Sequence, residues 1–250
     1  MKQSHNIALI LAGGTGERMH AVVPKQFMEI DGETVLLHTM KAFQQHPLIH
    51  EIYLVCMPEW ESFVKSEAKK GGIDKLHGII PAGESCYASA CNGIEHLAKT
   101  VKEPNPIVLV HDAVRPLITQ DIISRNIAVC LTHGNAITAL QSHEAYLVTE
   151  DGNTSDKFMP REGLMRAQTP HTFPLATLCQ MMELAKQQGI KKPQSIFTLA
   201  GELGIAPLHM ALGELRNCKI TEQSDILIYR ALKGLEEGFT TFLELVIVFM

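Results

Sequence analysis

Short apolar segments alternate with helical patterns along most of this chain, and no other feature constrains its fold as strongly. The first strand is predicted at 7–11, and apolar residues then recur at helical spacing over 35–43. Further strands are predicted at 52–56, 79–80, 107–110 and 136–140, and further helices at 88–98 and 122–131. Continuous apolar strands joined by helices are typical of a parallel sheet covered on both faces. We therefore expect an α/β fold with a doubly wound, mostly parallel sheet.

Composition excludes several classes of protein. The chain has 250 residues, 46% hydrophobic and 20% charged, and can bury a full core as a single domain over 1–250. Its formal charge of −5 argues against a nucleic-acid or anionic-membrane surface. No signal-peptide pattern precedes the first strand and no apolar run reaches the ~18 residues that span a bilayer, so we expect a cytoplasmic protein. The six cysteines form no C-x-x-C pair, and we expect most of them in the core.

The character of the sequence changes between residues 144 and 161. Two short apolar segments, 145–148 and 157–159, flank a polar stretch that contains Asp151-Gly152, as in a hairpin. We interpret residues 141–163 as a β-arm that projects from the sheet. The apolar tail at 242–250 is too short to span a membrane, and we interpret it as an edge strand or a helix extension packed on a partner.

A glycine-rich loop follows the first strand, at the edge where open α/β sheets bind ligands. It reads L-A-G-G-T-G-E-R-M over 11–19, and P-K-Q follows at 24–26. Glycines let the backbone approach a phosphate chain, and Arg18 and Lys25 are two cations that the turn can direct at one triphosphate. The dinucleotide fingerprint and the Walker A loop both fail here. Taken alone, a glycine loop favours the alternative of a tight turn with two solvated cations, and it is the position of the loop at this edge that favours ligand binding.

Four blocks of sequence, taken in order, resemble the cytidylyltransferases for ribitol 5-phosphate and 2-C-methyl-D-erythritol 4-phosphate. The blocks are the glycine loop with P-K-Q, H-D-A-V-R-P at 111–116, Arg161 with Q-T-P at 168–170, and N-C-K-I-T at 217–221 with Asp225. The resemblance covers about residues 7–235 and implies a Rossmann-like nucleotidyltransferase fold. It also implies Mg²⁺ as the cofactor and a homodimer in which each arm reaches the neighbouring active site.

The resemblance implies a role for each block. A phosphate oxygen of the alcohol phosphate would attack the α-phosphorus of CTP, and negative charge would build up on phosphoryl oxygens. Arg18 and Lys25 would stabilise that charge, while Arg161 and Lys219 would hold the incoming phosphate in line. The residues expected to bind CTP are Leu11, Ala12, Gly13, Gly14, Thr15, Gly16, Ala82, Gly83, Glu84, Ser89 and Asp112. The residues expected to bind the alcohol phosphate are Arg115, Arg161, Lys219 and Thr221, and Asp112 is the expected protein ligand of Mg²⁺.

The chain departs from the family pattern in three places. Cys86 stands where the family has an arginine, which removes a cation from the nucleotide loop. Ala145, on the arm, cannot supply the hydroxyl that the family has there, and the block around Ser195 is also altered. We therefore expect an alcohol that differs from the substrate of a standard member.

We predict a cytidylyltransferase that makes a CDP-alditol and pyrophosphate from CTP and an alditol phosphate similar to ribitol 5-phosphate, as in cell-wall biogenesis. Trp60 and Val114 favour the ribitol 5-phosphate enzymes over the methylerythritol enzymes of isoprenoid synthesis, which are the alternative. A nucleotide-binding homologue without turnover is the second alternative. The four retained cations of the matching blocks argue against it, because a binding protein has no need for all of them.

Overall fold

The computed structural model describes residues 4–14 and 23–248, with side chains up to residue 235. Its strands are β1 (Asn6–Ala12), β2 (Glu29–Ile30), β3 (Glu33–Thr34), β4 (Glu51–Cys56), β5 (Leu76–Pro81), β6 (Ile107–Asp112), β7 (Ala136–Gln141), β8 (Tyr146–Val148), β9 (Lys157–Met159), β10 (Met165–Pro174) and β11 (Met210–Leu212). Its helices are α1 (Val35–Gln45), α2 (Glu61–Lys70), α3 (Cys86–Thr100), α4 (Gln120–His133), α5 (Leu175–Gln188), α6 (Ile196–Glu202) and α7 (Gln223–Val248).

Seven of these strands form one central sheet in the order β11-β7-β10-β6-β1-β4-β5. Strand β1 pairs in parallel with β4 and β6, β4 pairs in parallel with β5, and β7 pairs in parallel with β11. The exception is β10, which lies antiparallel between β6 and β7. The prediction of a mostly parallel α/β sheet is confirmed.

Strand β1 explains why the sheet must be covered on both faces. Ile7, Ala8, Leu9 and Ile10 are all fully buried, and successive side chains of a strand point to opposite faces. Ala8 and Ile10 belong to a core cluster with residues of α1, α2 and α4, whereas Ile7 and Leu9 belong to a second cluster with residues of α3, α5 and α6. The sheet is therefore doubly wound, with a separate hydrophobic core on each face.

The predicted arm contains a small sheet of its own. Strands β8 and β9 pair antiparallel, with Leu147 opposite Phe158. These two side chains are 75% and 73% exposed, although both are large and apolar. Two strands of three residues cannot bury a core by themselves. In the described part of the chain, these apolar side chains of the arm are therefore left exposed.

Two expectations about the rest of the chain need correction. The tail forms the end of the long helix α7, so the edge-strand interpretation is wrong and the helix extension is right as far as Val248. Of the six cysteines, Cys56 and Cys130 are buried while Cys86 is exposed; the other three are half-buried, so most of them lie outside the fully buried core. Among the described residues, no helix combines the length and the apolar character needed to cross a bilayer.

Candidate active site

The predicted site blocks meet at the edge of the sheet where the parallel strands end. Leu11 of β1 lies beside Asp112 of β6 in the parallel register, and the Ala113 amide donates to the Leu11 carbonyl at 3.0 Å. On the other side of β1, the Ala82 amide donates to the carbonyl of Cys56 at 2.8 Å. The loops that follow β1, β5 and β6 are therefore held side by side, as expected for the ligand edge of an open α/β sheet.

Two adjoining cavities open at this edge. The first, which we call the glycine-loop cleft, has a volume of about 370 Å³. Its lining includes Leu11, Ala12, Gly13, Gly14, Lys25, Gln26, Gly83, Glu84, Ser89, Asp112, Val114 and Lys219. The second, which we call the inner cavity, has a volume of about 170 Å³ and lies between β6, β10, α3 and α6. The two cavities share Leu11, Cys86, Asp112 and Lys219.

Close packing explains the glycines at 13 and 83. A Cβ on Gly13 would lie 2.6 Å from the Cβ of Ala82, and a Cβ on Gly83 would lie 2.6 Å from the Cβ of Ala88. Both distances are too short for any side chain. A Cβ on Gly14 would meet no described atom within 4 Å, so packing does not require glycine there. The absence of a side chain at Gly14 leaves backbone open to the cleft, where a ligand can approach it.

Gln26 holds the glycine loop in place, a role that sequence reasoning missed. Its buried side-chain amide donates to the carbonyls of Ala12 at 2.7 Å and Gly14 at 2.8 Å. Gln26 lies in a short 3-10 helix, 25–27, whose first residue, Lys25, is 9% exposed and lines the cleft. The bonds from Gln26 to Ala12 and Gly14 therefore keep Lys25 beside the glycine loop. The P-K-Q triplet was the available signal for this contact.

Asp112 is paired with two cations at the boundary between the cavities. Its Oδ2 atom lies 3.1 Å from Nε of Arg115 and 3.1 Å from Nζ of Lys219. Burial alone would raise the pKa of the Asp112 carboxyl. The charges of Lys219 and Arg115 outweigh burial and hold this pKa well below its usual range. Asp112 is therefore a carboxylate at any pH near neutrality.

His111 is buried behind Asp112 and is neutral. Burial lowers the pKa of its imidazole to about 3, against the opposing charge of Asp112. Its Nε2 atom faces the carbonyl of Arg115 at 3.4 Å, and its Nδ1 atom lies 3.0 Å from the hydroxyl oxygen of Thr169. The same hydroxyl accepts the amide N–H of Asp112 at 3.1 Å. Thr169 therefore joins the strand β10 to the turn after β6.

Asn217 connects the third and fourth sequence blocks to the second. Its side-chain amide donates to the carbonyl of Thr169 at 2.8 Å, and its own carbonyl accepts Nη1 of Arg115 at 2.8 Å. Gln168 adds a further bond from its side-chain amide to the carbonyl of Glu214 at 2.8 Å. Blocks that are far apart in sequence thus form one hydrogen-bonded unit around Asp112 and Arg115. Sequence reasoning placed these blocks in one site but did not find the bonds.

The structure brings most of the predicted site residues together. Leu11, Ala12, Gly13, Gly14, Gly83, Glu84, Ser89, Asp112, Lys25 and Lys219 line the glycine-loop cleft, and Arg115 lines the inner cavity. Ala82 packs beneath Gly13, and the Ser89 hydroxyl accepts the Gly83 amide at 3.0 Å. Thr15, Gly16 and Arg18 lie outside the described residues.

Two predicted phosphate ligands need comment. Arg161 is exposed on the loop between β9 and β10, and the described residues that line the two cavities do not include it. Thr221 donates its hydroxyl to Oδ2 of Asp225 at 2.7 Å, and Asp225 also accepts the amide of Glu222. Asp225, and not the Thr221 hydroxyl, therefore accepts the amide of Glu222 just before α7. The role of both residues toward the alcohol phosphate stays a prediction.

Comparison with known proteins identifies the family. Residues 6–233 match the family model for IspD, 2-C-methyl-D-erythritol 4-phosphate cytidylyltransferase. The chain is 30% identical to the ribitol-5-phosphate cytidylyltransferase of Lacticaseibacillus paracasei over 90% of this chain and 96% of that protein. It is 35% identical to the 2-C-methyl-D-erythritol 4-phosphate cytidylyltransferase of Syntrophus aciditrophicus over 93% of this chain and 97% of that protein.

A solved structure agrees with these relatives. The crystal structure of a 4-diphosphocytidyl-2C-methyl-D-erythritol synthase superposes with a TM-score of 0.76 at 26% identity, covering 93% of this chain and 99% of that one. The resemblance stated from the four sequence blocks is confirmed: the protein belongs to the IspD family of cytidylyltransferases.

Proposed function

We propose that the protein transfers CMP from CTP to an alditol phosphate of the ribitol 5-phosphate type and releases pyrophosphate. The observation that carries this proposal is the pair of adjoining cavities with Asp112, Arg115 and Lys219 at their boundary. The reaction brings two phosphate anions together, and cations near both of them reduce the repulsion. Lys25 on one side and Arg115 with Lys219 on the other supply this charge.

In this proposal CTP occupies the glycine-loop cleft. Its triphosphate lies along the backbone of Gly13 and Gly14, where no side chain intervenes, with Lys25 beside it. Cys86 is the first residue of α3 and lines both cavities, so an arginine at this position would face the nucleotide. The thiol supplies no positive charge there. Among the described residues, Lys25 and Lys219 are therefore the lysines that stabilise the phosphate charge in the cleft.

The alcohol phosphate is proposed to enter at the boundary with the inner cavity. Lys219 and Arg115 both contact Asp112 before any phosphate arrives, so their side chains are already ordered. Ordered cations lose less conformational entropy on binding than free surface lysines do. A phosphate held by this pair would face the glycine-loop cleft, which is the geometry required for in-line attack on the α-phosphorus.

The residues at Asp112 fit a Mg²⁺ ion that arrives with CTP. Both cations contact Oδ2 of Asp112, which leaves Oδ1 as a possible metal ligand. Within the described residues, the one group of three metal-ligating side chains close enough to share an ion is His5, Glu51 and Glu103, and Glu51 begins β4 at the opposite edge of the sheet. A single protein carboxylate suits Mg²⁺, which retains water and binds substrate phosphates. When bound, the ion would neutralise charge on the phosphates.

The exposed arm supports a homodimer. Leu147 and Phe158 lie opposite each other on β8 and β9 and are mostly exposed, which is unusual for large apolar side chains. A second copy of the chain would cover them. Arg161 follows β9 and would then reach the phosphate site of the partner rather than its own, which accounts for its absence from the lining of the two cavities.

The methylerythritol enzymes of isoprenoid synthesis are the alternative, and the 35% identity to one of them favours it. Of the two residues that favoured ribitol 5-phosphate, Val114 lines the glycine-loop cleft. Trp60 instead stacks on Phe27 with ring centroids 4.5 Å apart, so its role is in packing. A direct test of the candidate substrates is therefore needed to identify the alcohol.

The decisive experiment is a pyrophosphate-release assay that crosses four nucleoside triphosphates with a panel of phosphorylated alcohols. We expect release with CTP and ribitol 5-phosphate and little with the other nucleotides. Release with 2-C-methyl-D-erythritol 4-phosphate instead would establish the alternative. CTP binding without pyrophosphate release from any alcohol would mean a homologue without turnover.

A further inference from the structure

We propose that Thr169 is a positioning residue for the transfer: its hydroxyl and carbonyl together hold Asp112 and Arg115 in the arrangement that receives the alcohol phosphate. This inference rests on the proposed function. It concerns a residue of the Q-T-P block to which neither the sequence nor the family resemblance gave a role. Thr169 is buried, lines the inner cavity and contacts the turn after β6 from the neighbouring strand.

Irregular strand pairing places Thr169 where it can act in this way. Strand β10 pairs with β7 up to Ala167 and resumes the pairing at His171 with a shift of register. The residues between them, 168–170, lie outside the regular ladder. A bulge of this kind re-aims side chains and backbone groups, here toward the site at the end of β6. The hydroxyl and the carbonyl of Thr169 then form hydrogen bonds within the site rather than within the sheet.

The direction of each hydrogen bond at the hydroxyl follows from His111. The carbonyl of Arg115 can only accept a hydrogen bond, so the Nε2 atom that faces it carries the proton. The Thr169 hydroxyl has one proton to donate, and the acceptor that lies within reach of it is Nδ1 of His111. The hydroxyl oxygen accepts the amide N–H of Asp112 in turn. Valine would break both bonds, whereas serine would keep them.

The carbonyl of Thr169 provides a second connection, to Arg115. It accepts the side-chain amide of Asn217 at 2.8 Å, and the Asn217 carbonyl accepts Nη1 of Arg115 at 2.8 Å. The guanidinium is therefore held at Nη1 by Asn217 and at Nε by Asp112. Thr169 is bonded to both of these residues. Displacement of Asn217 and Asp112 would move Arg115 away from the incoming phosphate. A misplacement of about 1 Å can lower the rate by about 100-fold.

The test compares Thr169→Val with two reference variants. Thr169→Ser keeps the hydroxyl, and Thr172→Val is a matched control on the same strand, because the Thr172 hydroxyl is also buried but donates to Asn126 at 3.1 Å, in the core. We expect Thr169→Val to lower kcat/KM for the alcohol phosphate by about 10- to 100-fold and to change the Kd for CTP by less than about 3-fold. Thr169→Ser should recover most of the rate, and Thr172→Val should lose stability without losing rate.

A double variant with Arg115→Lys separates positioning from general destabilisation. If Thr169 acts through Arg115, the double variant should be about as slow as Arg115→Lys alone, because the second change removes nothing further. If the loss of kcat/KM in the double variant equals the product of the two single losses, the proposal is overturned. Wild-type kcat/KM in Thr169→Val, or equal losses in the valine and serine variants, would overturn it as well.

A measurement on the unaltered protein tests the bond directions independently of turnover. Nitrogen-15 NMR should place the proton of the His111 ring on Nε2, with Nδ1 as the hydrogen-bond acceptor. A proton on Nδ1 would overturn the proposal even if a Thr169 variant failed to fold. Absence of pyrophosphate release by the unaltered protein with every alcohol would contradict the proposed function instead, and the NMR result would still decide the hydrogen bonds at Thr169.

Discussion

Lys219 Nζ lies 3.1 Å from Oδ2 of Asp112, the same oxygen that Arg115 contacts. Two cations thus share one carboxylate before any substrate is bound. Asp112 is only 14% exposed and Lys219 is 37% exposed, so the lysine is the more accessible of the two, while Arg115 lines the inner cavity. The arrangement keeps both positive charges close together without leaving them unpaired, which prepares the site for a second phosphate.

We predict that the stability contributed by Asp112 depends on pH in the acidic range. Its folded pKa lies below the ordinary value of 3.8, so the unfolded chain binds more protons and stability falls with pH below that value. Asp112→Asn should be less stable than the unaltered protein near pH 7, and the difference should shrink as the pH falls below about 4. Urea unfolding at a series of pH values measures this. A difference that stayed constant down to about pH 3 would mean that the carboxylate charge is not involved.

Lys25→Ala should lower turnover far more than CTP affinity. Lys25 lines the glycine-loop cleft, and charge on the phosphoryl oxygens peaks in the transition state. Loss of one such cation should reduce kcat by about 100-fold or more. Lys65→Ala is the control, because Lys65 is an exposed lysine paired with Glu61 on α2. If Lys25→Ala kept the kcat of the unaltered protein, Lys25 would have no part in the transfer.

Gly13→Ala and Gly14→Ala should behave differently although the two residues are adjacent. Alanine at 13 would place its Cβ 2.6 Å from the Cβ of Ala82 and force the two loops apart. We expect it to lower the stability by about 1–3 kcal/mol, the usual cost of overpacking, and to weaken CTP binding. Alanine at 14 meets no described atom within 4 Å and should leave stability unchanged.

Thermal unfolding and CTP calorimetry on the two glycine variants provide the test. A loss of CTP affinity in Gly14→Ala at unchanged Tm would support close approach of the phosphates to this backbone. Equal Tm values for both variants would contradict the packing argument at Gly13.

Mixing Arg161→Ala protein with Lys25→Ala protein should restore activity if the arm serves the partner's site. In a heterodimer of the two, one site receives an intact loop from one chain and an intact arm from the other. At full subunit exchange half of the molecules are heterodimers, which gives roughly a quarter of the unaltered activity by the symmetry of a two-fold dimer. The pyrophosphate assay measures this after incubation of the two variants together.

Subunit exchange must be shown separately, for example with two tags of different mass. If exchange occurs and the mixture is no more active than either parent, Arg161 acts within its own chain or not at all. That result would also remove the role proposed here for the exposed arm.

The sequence alone was sufficient for the fold class and for placing the predicted loops at one edge of the sheet. Segments such as 7–11 and 107–110 are short and continuously apolar, as strands buried on both faces are. These local patterns therefore predict the parallel sheet. The glycine loop and the 111–116 turn follow strands directly, and parallel strands end at one edge, so their meeting could be predicted without coordinates. The four ordered blocks then identified the family.

Only the tertiary structure determined how the blocks are joined. The antiparallel insertion of β10 between β6 and β7 brings Thr169 against His111 and Asp112, and no local pattern encodes that neighbour. Gln26 and Asn217 stand in sequence blocks that mark the site, but nothing in those blocks indicates which distant carbonyls their buried side chains reach. Hydrophobic periodicity indicates which face of a helix or strand is buried. A hydrogen bond between distant segments depends instead on how the two segments are placed relative to each other, and only the folded chain establishes that placement.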